Sequence, residues 1–326
     1  MSASATSELA DALRAGDRRA LARSITLVES TRTDHRAEAV ALLDAVLPAT
    51  GRAVRVGITG TPGAGKSTFV EELGTRLTGT QHHRVAVLAI DPSSRRSGGS
   101  ILGDKTRMER LARDPRAFIR PSPAGETLGG VARRTREAAL LCEVAGFDVI
   151  VIETVGVGQS ETAVADMVDC FVVLAAPGGG DELQGIKRGL IELADIVVVN
   201  KADGDLEPAA GRAVADYRHA VGLLRPKHAG WEVPVLAASA LGGRGIDEVW
   251  SAITALTDRL AASGALTELR SAQAVSWMWD EIRETLLDRF RHDPQVASRW
   301  ATVEAAVRSG RLSPAAAARQ LLSPEA

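Results

Sequence analysis

The sequence predicts an α/β fold: a mostly parallel sheet covered by helices on both faces, with helical extensions at the N- and C-termini. Two observations predict it. Seven short apolar runs, "VRVGITG", "VAVLAID", "AFIRP", "DVIVIET", "CFVVLAA", "DIVVVN" and "VPVLAAS", alternate with amphipathic stretches from Val54 to Ser239. They are apolar almost throughout, which suits strands buried on both faces. Before Val54 and after Trp250 the strand pattern is absent and helical spacing takes over.

In chain order, Leu9, Leu13, Leu21 and Ile25 recur near helical spacing, and "EAVALLDAVLP" is stopped by Pro48. Residues 1–50 therefore read as an N-terminal helical extension. Residues 51–258 hold the strands and their intervening helices. Residues 259–326 form a helical tail, in which "VSWMWDEIRETLLDRF" sets Val275, Met278 or Trp279, Ile282, Leu286 and Phe290 on one stripe. Further helices follow around "SRWATVEAAVRSG" and after Ser313-Pro314.

At 326 residues, 45% hydrophobic and 25% charged, the chain can bury a substantial core. A formal net charge of −2 gives no electrostatic case for nucleic acid or an anionic membrane as partner, so phosphate binding has to be local. Cys142 and Cys170 lie far apart without CxxC spacing, which fits a reducing cytosol and neither a disulfide scaffold nor a zinc site. No run approaches the ~20 apolar residues of a membrane span, and the N-terminus lacks a signal-peptide pattern. The expected location is cytoplasmic.

Gly60-Thr61-Pro62-Gly63-Ala64-Gly65-Lys66-Ser67 is a full GxxxxGK[ST] phosphate loop, continued by Thr68, between a strand and the helical "STFVEELGTRL". The fold class is thus a P-loop NTPase sheet. Its backbone N–H groups converge on phosphates, the helix N-terminus adds a favourable dipole, Lys66 reaches the β- and γ-phosphates, and Ser67 can ligate Mg²⁺.

"DIVVVNKAD" ends a strand in Asn200-Lys201-Ala202-Asp203. The Asp203 carboxylate can accept from guanine N1–H and the exocyclic amine, a donor pair adenine lacks. This predicts GTP and GDP as the nucleotides. Asn200 supports the loop, Lys201 lays its stem along the base, and a backbone N–H near Ser239-Ala240 meets guanine O6. Only five of the 39 basic residues are lysines: Lys66, Lys105, Lys187, Lys201 and Lys227. Such a chain keeps lysine where a compact ammonium differs from a planar guanidinium.

Asp91 closes the second strand and opens "PSSRRSGGSILGDKTR", a Gly-rich loop that reads as a first switch. Asp91 and Asp104 are candidates for the Mg²⁺ environment. In "VIETVGVGQSE", Glu153 stands where the commoner GTPase segment has aspartate. A carboxylate there can orient a Mg²⁺-bound water, and Gly156 can give an N–H to the γ-phosphate. Gln159 is a candidate for placing the attacking water. The catalytic set is Lys66, Glu153 and Gln159; the metal set is Ser67, Asp91, Asp104 and Glu153.

Together "GTPGAGKST", "AIDPSSRRSGGSILGDKTRM", "ETVGVGQSE" and "NKAD" resemble the MeaB/ArgK GTPases, methylmalonyl-CoA mutase-associated proteins in which glutamate replaces that aspartate. The resemblance extends over the whole chain. It implies a GTPase chaperone that gates adenosylcobalamin loading into a cobalamin-dependent acyl-CoA mutase and protects that enzyme, and a homodimer joined through C-terminal helices. "APGGGDELQGIK", with Asp181 and Lys187, is similar to the family's additional switch loop. The competing readings are a GTP-dependent scaffold or targeting switch with another client, a nickel-type metallochaperone, and a kinase acting on a transport binding protein. His82-His83 has no nearby cysteine, which disfavours nickel, and NKAD with no membrane feature disfavours the kinase.

Overall fold

The structure, a computed structural model, describes residues 3–90, 108–122, 128–154, 160–177 and 188–323. All seven expected strands are present: β1 (Val54–Gly60), β2 (Val85–Ile90), β3 (Ala117–Ser122), β4 (Val149–Thr154), β5 (Cys170–Ala175), β6 (Ile196–Val199) and β7 (Val235–Ala237). They form one sheet in the order β3-β2-β4-β1-β5-β6-β7, with every pairing parallel. β2, β4, β5 and β6 are buried at every position, as their unbroken apolar runs require.

The helices that follow these strands, in chain order, are α4 (Lys66–Gly79), α5 (Glu109–Arg113), α6 (Leu128–Val144), α7 (Ser160–Ala165), α8 (Arg188–Leu193), α9 (Glu207–Gly222) and α10 (Ile246–Ala262). They are preceded by α1 (Ala3–Arg14), α2 (Arg18–Glu29) and α3 (Thr33–Val46). Leu13, Leu21, Ile25 and Leu42 of these first helices are fully buried, with α2 and α3 packed on α6. Arg18 donates to Pro115 O at 2.9 Å and to Ala117 O at 2.7 Å, and Arg120 pairs with Glu29, so α2 covers the edge strand β3. The bond to Ala117 O occupies a β3 carbonyl that an open edge would offer to another chain.

At the base of the sheet a buried ionic network closes the strand starts. Arg55 Nε pairs with Glu143 at 2.7 Å, and the Asp169 carboxylate receives Arg55 N at 2.8 Å. Arg270 grips the same Asp169 with two bonds, of 2.8 and 2.7 Å, and also donates to Gly51 O and Ala53 O. Two-pronged guanidinium pairing of this kind satisfies charges that burial alone would penalise. Lys227 accounts for one of the retained lysines: its Nζ lies 3.0 Å from Asp195 Oδ2, on a side chain 1% exposed.

As packed bodies, the residues up to Gln273 form one compact unit and those from Ala274 a second. The division falls inside α11 (Ala265–His292), whose root is held in the first unit by Arg270 and by Gln273 Nε2 on Val168 O at 2.8 Å. In the second unit α12 (Pro294–Arg308) and α13 (Pro314–Leu322) bury Val296, Val303 and Ala317, and Phe290 meets Trp300 edge to face. The stripe expected on α11 is there, but Val275, Met278, Trp279, Ile282 and Leu286 are all exposed in the single chain. No described helix is long and apolar enough to cross a membrane.

Both cysteines are free and fully buried, and burial pushes both thiols well above the usual range. Because the thiolate is the reactive form, the native protein is expected to release no chromophore from a disulfide reagent such as DTNB within minutes. Denatured protein should titrate two thiols. Rapid reaction of the native chain would contradict this packing.

Candidate functional site

The C-terminal ends of β1, β4, β5, β6 and β7 carry the site. β1 is flanked by β4 and β5, with β2 to β4 on one side of it and β5 to β7 on the other, so the strand order reverses there. A crevice outside the strand ends at such a reversal is where open α/β sheets bind ligands.

Gly60 closes β1 so tightly that a Cβ there would lie 2.2 Å from Leu174 O. Gly65 is the N-cap of α4 at φ 84°, and a Cβ on it would meet Asn200 Nδ2 at 2.7 Å. Both glycines are therefore demanded by space or conformation. Pro62 and Gly63 are exposed at the loop tip, Thr61 and Thr68 half-buried, and Ala64 buried. The Lys66 side chain folds back into this cradle: its Nζ donates to Gly60 O at 2.8 Å and Thr61 O at 3.1 Å, on a residue only 8% exposed. Burial lowers its pKa below the ordinary lysine value, against the opposing charges of Glu153 and Glu161. A depressed folded-state value means that the folded form binds the proton less well than the unfolded chain. The buried ammonium thus costs stability below that folded pKa, and the cost fades as pH rises toward the ordinary value.

Ser67 Oγ donates to Glu153 Oε1 at 2.8 Å. The register that pairs Ile58 with Glu153 brings this carboxylate beside the first turn of α4, across 86 residues of chain. The glutamate, 7% exposed, and the serine hydroxyl are two hard oxygen donors side by side next to the cradle. Their chemistry fits a Mg²⁺ ion bound with nucleotide phosphates.

Asn200, 1% exposed, ties three segments together. Its backbone N–H donates to Ala175 O at 2.8 Å, its Nδ2 to Ala64 O at 2.8 Å, and its Oδ1 accepts from Ala240 N at 3.1 Å. Lys201 follows at φ 61°, a left-handed conformation uncommon for a non-glycine residue, with its Cε 3.9 Å from where a Gly65 Cβ would stand. Ala202 N reaches Ala238 O at 2.9 Å, and Ser239 Oγ donates to Asp203 Oδ2 while accepting Gly242 N at 2.9 Å. Asp203 is therefore held in place, with Oδ1 unbonded among the described residues.

The amides assigned to guanine O6 are engaged within the chain in this structure, Ser239 N with Arg244 O at 2.9 Å and Ala240 N with Asn200. Arg244 is a residue that sequence reasoning passed over. Its Nη2 donates to Ala202 O at 2.9 Å and its carbonyl holds Ser239, so it braces the loop from Asn200 to Asp203 against Ser239. Only the glycines around it hinted at a tight turn. Asp91, Asp104, Gly156, Gln159, Lys105, Asp181 and Lys187 lie outside the described residues.

A cavity of ≈ 590 Å³ between α8, α9 and β7, lined among others by Ile191, Arg218, Lys227 and Trp231, shares no residue with this constellation. The loop with exposed Pro62 and Gly63 is an open cradle and not an enclosed cavity, as a site for a phosphate chain exchanged with solvent requires.

Residues 21–295 match the family model described as methylmalonyl Co-A mutase-associated GTPase MeaB. A Caulobacter vibrioides relative described as a GTPase is 59% identical over 312 residues, covering 95% of each chain. The mouse mitochondrial methylmalonic aciduria type A homolog is 52% identical over 317 residues, 94% of this chain and 76% of its own length. A solved structure described as an LAO/AO transport system kinase superposes with a TM-score of 0.76 at 42% identity, over 98% of this chain and 97% of that one. The chain belongs to the MeaB family, and it is a P-loop GTPase that binds guanine nucleotide and hydrolyses GTP.

Proposed function

We propose that this GTPase gates adenosylcobalamin delivery to, and protection of, an acyl-CoA mutase such as methylmalonyl-CoA mutase. The observation that carries the proposal is the match to a mutase-associated GTPase family over residues 21–295, with the base and phosphate elements of a GTPase intact in the same chain.

In this reading the cradle from Gly60 to Thr68 receives the phosphates, and Lys66 exchanges its carbonyl partners for β- and γ-phosphate oxygens. Ser67 and Glu153 hold Mg²⁺, joined by Asp91 and Asp104; the ion supplies charge neutralisation for the phosphates. Asp203 selects guanine, and Asn200 keeps the base loop in register with the cradle. Gln159 places the water whose oxygen bonds to the γ-phosphorus as the bond to the β-phosphate oxygen breaks, giving GDP and inorganic phosphate. Glu153 and Gly156 report on the γ-phosphate to the segment that follows β4. The exposed apolar stripe on α11 supports a homodimer through the C-terminal helices, and the near-neutral charge supports a protein client over nucleic acid. Two free, buried cysteines accord with a cytoplasmic setting.

Among the described residues no arginine is placed as a catalytic finger, so isolated turnover should be slow and contact with the client should raise it. Linkage requires that GTP and GDP give different affinities for that client. The test measures GTPase rate against concentration of the cobalamin-dependent mutase from the same organism, and mutase affinity in each nucleotide state. Rates should rise to a plateau, and Lys187→Ala should weaken the rise while leaving basal hydrolysis nearly intact. A flat profile with equal affinities would replace the chaperone by a GTP-dependent scaffold for another client.

A further inference from the structure

Two threonines, Thr59 and Thr154, stand one residue beyond the Ile58–Glu153 pair, where β1 turns into the phosphate loop and β4 leaves the sheet. Both are fully buried, and Thr154 Oγ1 donates to Thr59 Oγ1 at 2.8 Å. The β1–β4 register ends at Ile58 and Glu153, so this side-chain bond continues the connection past the last paired residues. Successive strand residues point to opposite faces. Glu153 therefore points toward α4, where Ser67 binds it, and Thr154 points to the other face. That face is identified by Gly57, two residues before Thr59, whose Cβ would press on Val164 of α7 and on Phe171. The end of β4 is thus held from both sides at adjacent residues: Glu153 by Ser67 above the sheet, Thr154 by Thr59 below it.

We infer that Thr154, through Thr59, is a positioning residue for the Glu153 carboxylate. This rests on reading Ser67 and Glu153 as the metal pair. Main-chain pairing with β2, through Ala89–Glu153 and Ile90–Thr154, fixes the end of β4 on one side, whereas on the side of β1, from which the phosphate loop and Ser67 lead, the ladder stops at Ile58–Glu153. The Thr154–Thr59 bond carries the tie to β1 one residue further, up to the residue before Gly60, and so sets the spacing of Glu153 and Ser67 before an ion arrives. Neither threonine touches nucleotide or ion in this reading. Their effect passes wholly through the orientation of Glu153.

Thr154→Val keeps shape and removes the donor; Thr59→Val removes the acceptor. The probe is Mn²⁺ bound with GDP, followed by its electron paramagnetic resonance signal, alongside GTP turnover and thermal unfolding. Each single variant is expected to weaken Mn²⁺ roughly tenfold and to lower kcat by a similar factor, the scale of one lost hydrogen bond with its partner left unpaired. GDP affinity in EDTA should stay at the wild-type value, because the cradle and base loop are untouched. Thr154→Ser should restore both readouts. The double variant Thr59→Val with Thr154→Val leaves no unpaired hydroxyl, so its Tm should recover relative to either single change while Mn²⁺ affinity and kcat stay low. Wild-type Mn²⁺ affinity in Thr154→Val, or a double variant in which Tm and Mn²⁺ affinity return together, would overturn the inference. Wild-type protein that binds GDP but no Mn²⁺ would instead remove the metal assignment of Ser67 and Glu153, a separate failure.

Discussion

Asp203→Asn is expected to reverse the base preference, weakening GTP roughly a hundredfold or more and making XTP the better ligand. A carboxylate accepts from both guanine N1–H and the exocyclic amine, each a charge-assisted bond of about 1.5–3 kcal/mol. Asparagine retains one acceptor but presents an amide N–H₂ toward the amine, so a favourable contact becomes donor against donor. Xanthine carries a carbonyl in place of that amine and accepts from the new amide. The structure strengthens the expectation, because Asp203 does not have to be ordered on binding. Ser239 holds Oδ2, Arg244 and Ala238 hold the loop around Ala202, and Oδ1 remains available among the described residues. Asparagine can keep the Ser239 contact through its own oxygen, so the fold of the loop should survive and the change should be read in specificity alone. Titration of both nucleotides tests this; an unchanged preference for GTP would remove Asp203 from the base site.

Lys66→Ala is expected to abolish measurable triphosphate binding and hydrolysis, a loss of two orders of magnitude or more, without loss of fold. The ammonium is buried, donates among the described residues only to two backbone carbonyls of its own loop, and is held against a desolvation cost. A cation in that position has little to offer the empty protein, since its hydrogen bonds there return less than water would. It is matched to a polyanion that brings several oxygens to the same place. Removing it should therefore leave the Tm of nucleotide-free protein equal to or above that of wild type, with the difference shrinking as pH rises toward the ordinary lysine value. Retained hydrolysis at saturating GTP would contradict the assignment, and a large fall in Tm would mean that Lys66 is a structural residue.

What the sequence determined by itself was what short spacings encode. Continuous apolar runs marked seven strands, because a strand buried on both faces needs no polar alternation. Gly60 to Ser67 and Asn200 to Asp203 stood out because each motif is a run of consecutive residues at the end of one strand. Similarity between motifs then pointed to the family that comparison over residues 21–295 bears out. What only the tertiary structure decided lies between distant segments. The order β3-β2-β4-β1-β5-β6-β7 places Glu153 beside Ser67 and Thr154 beside Thr59, and nothing local in either segment specifies the partner. Asn200 reads as a base-site residue in its motif, yet its amide spans Ala64 and Ala240, 136 and 40 residues away. The stripe on α11 was legible from its period, but not that Val275, Met278, Trp279, Ile282 and Leu286 on it are exposed in the single chain. Periodicity reports which side of a helix is apolar, whereas burial depends on whether another surface arrives to cover it, and that is settled by long-range packing.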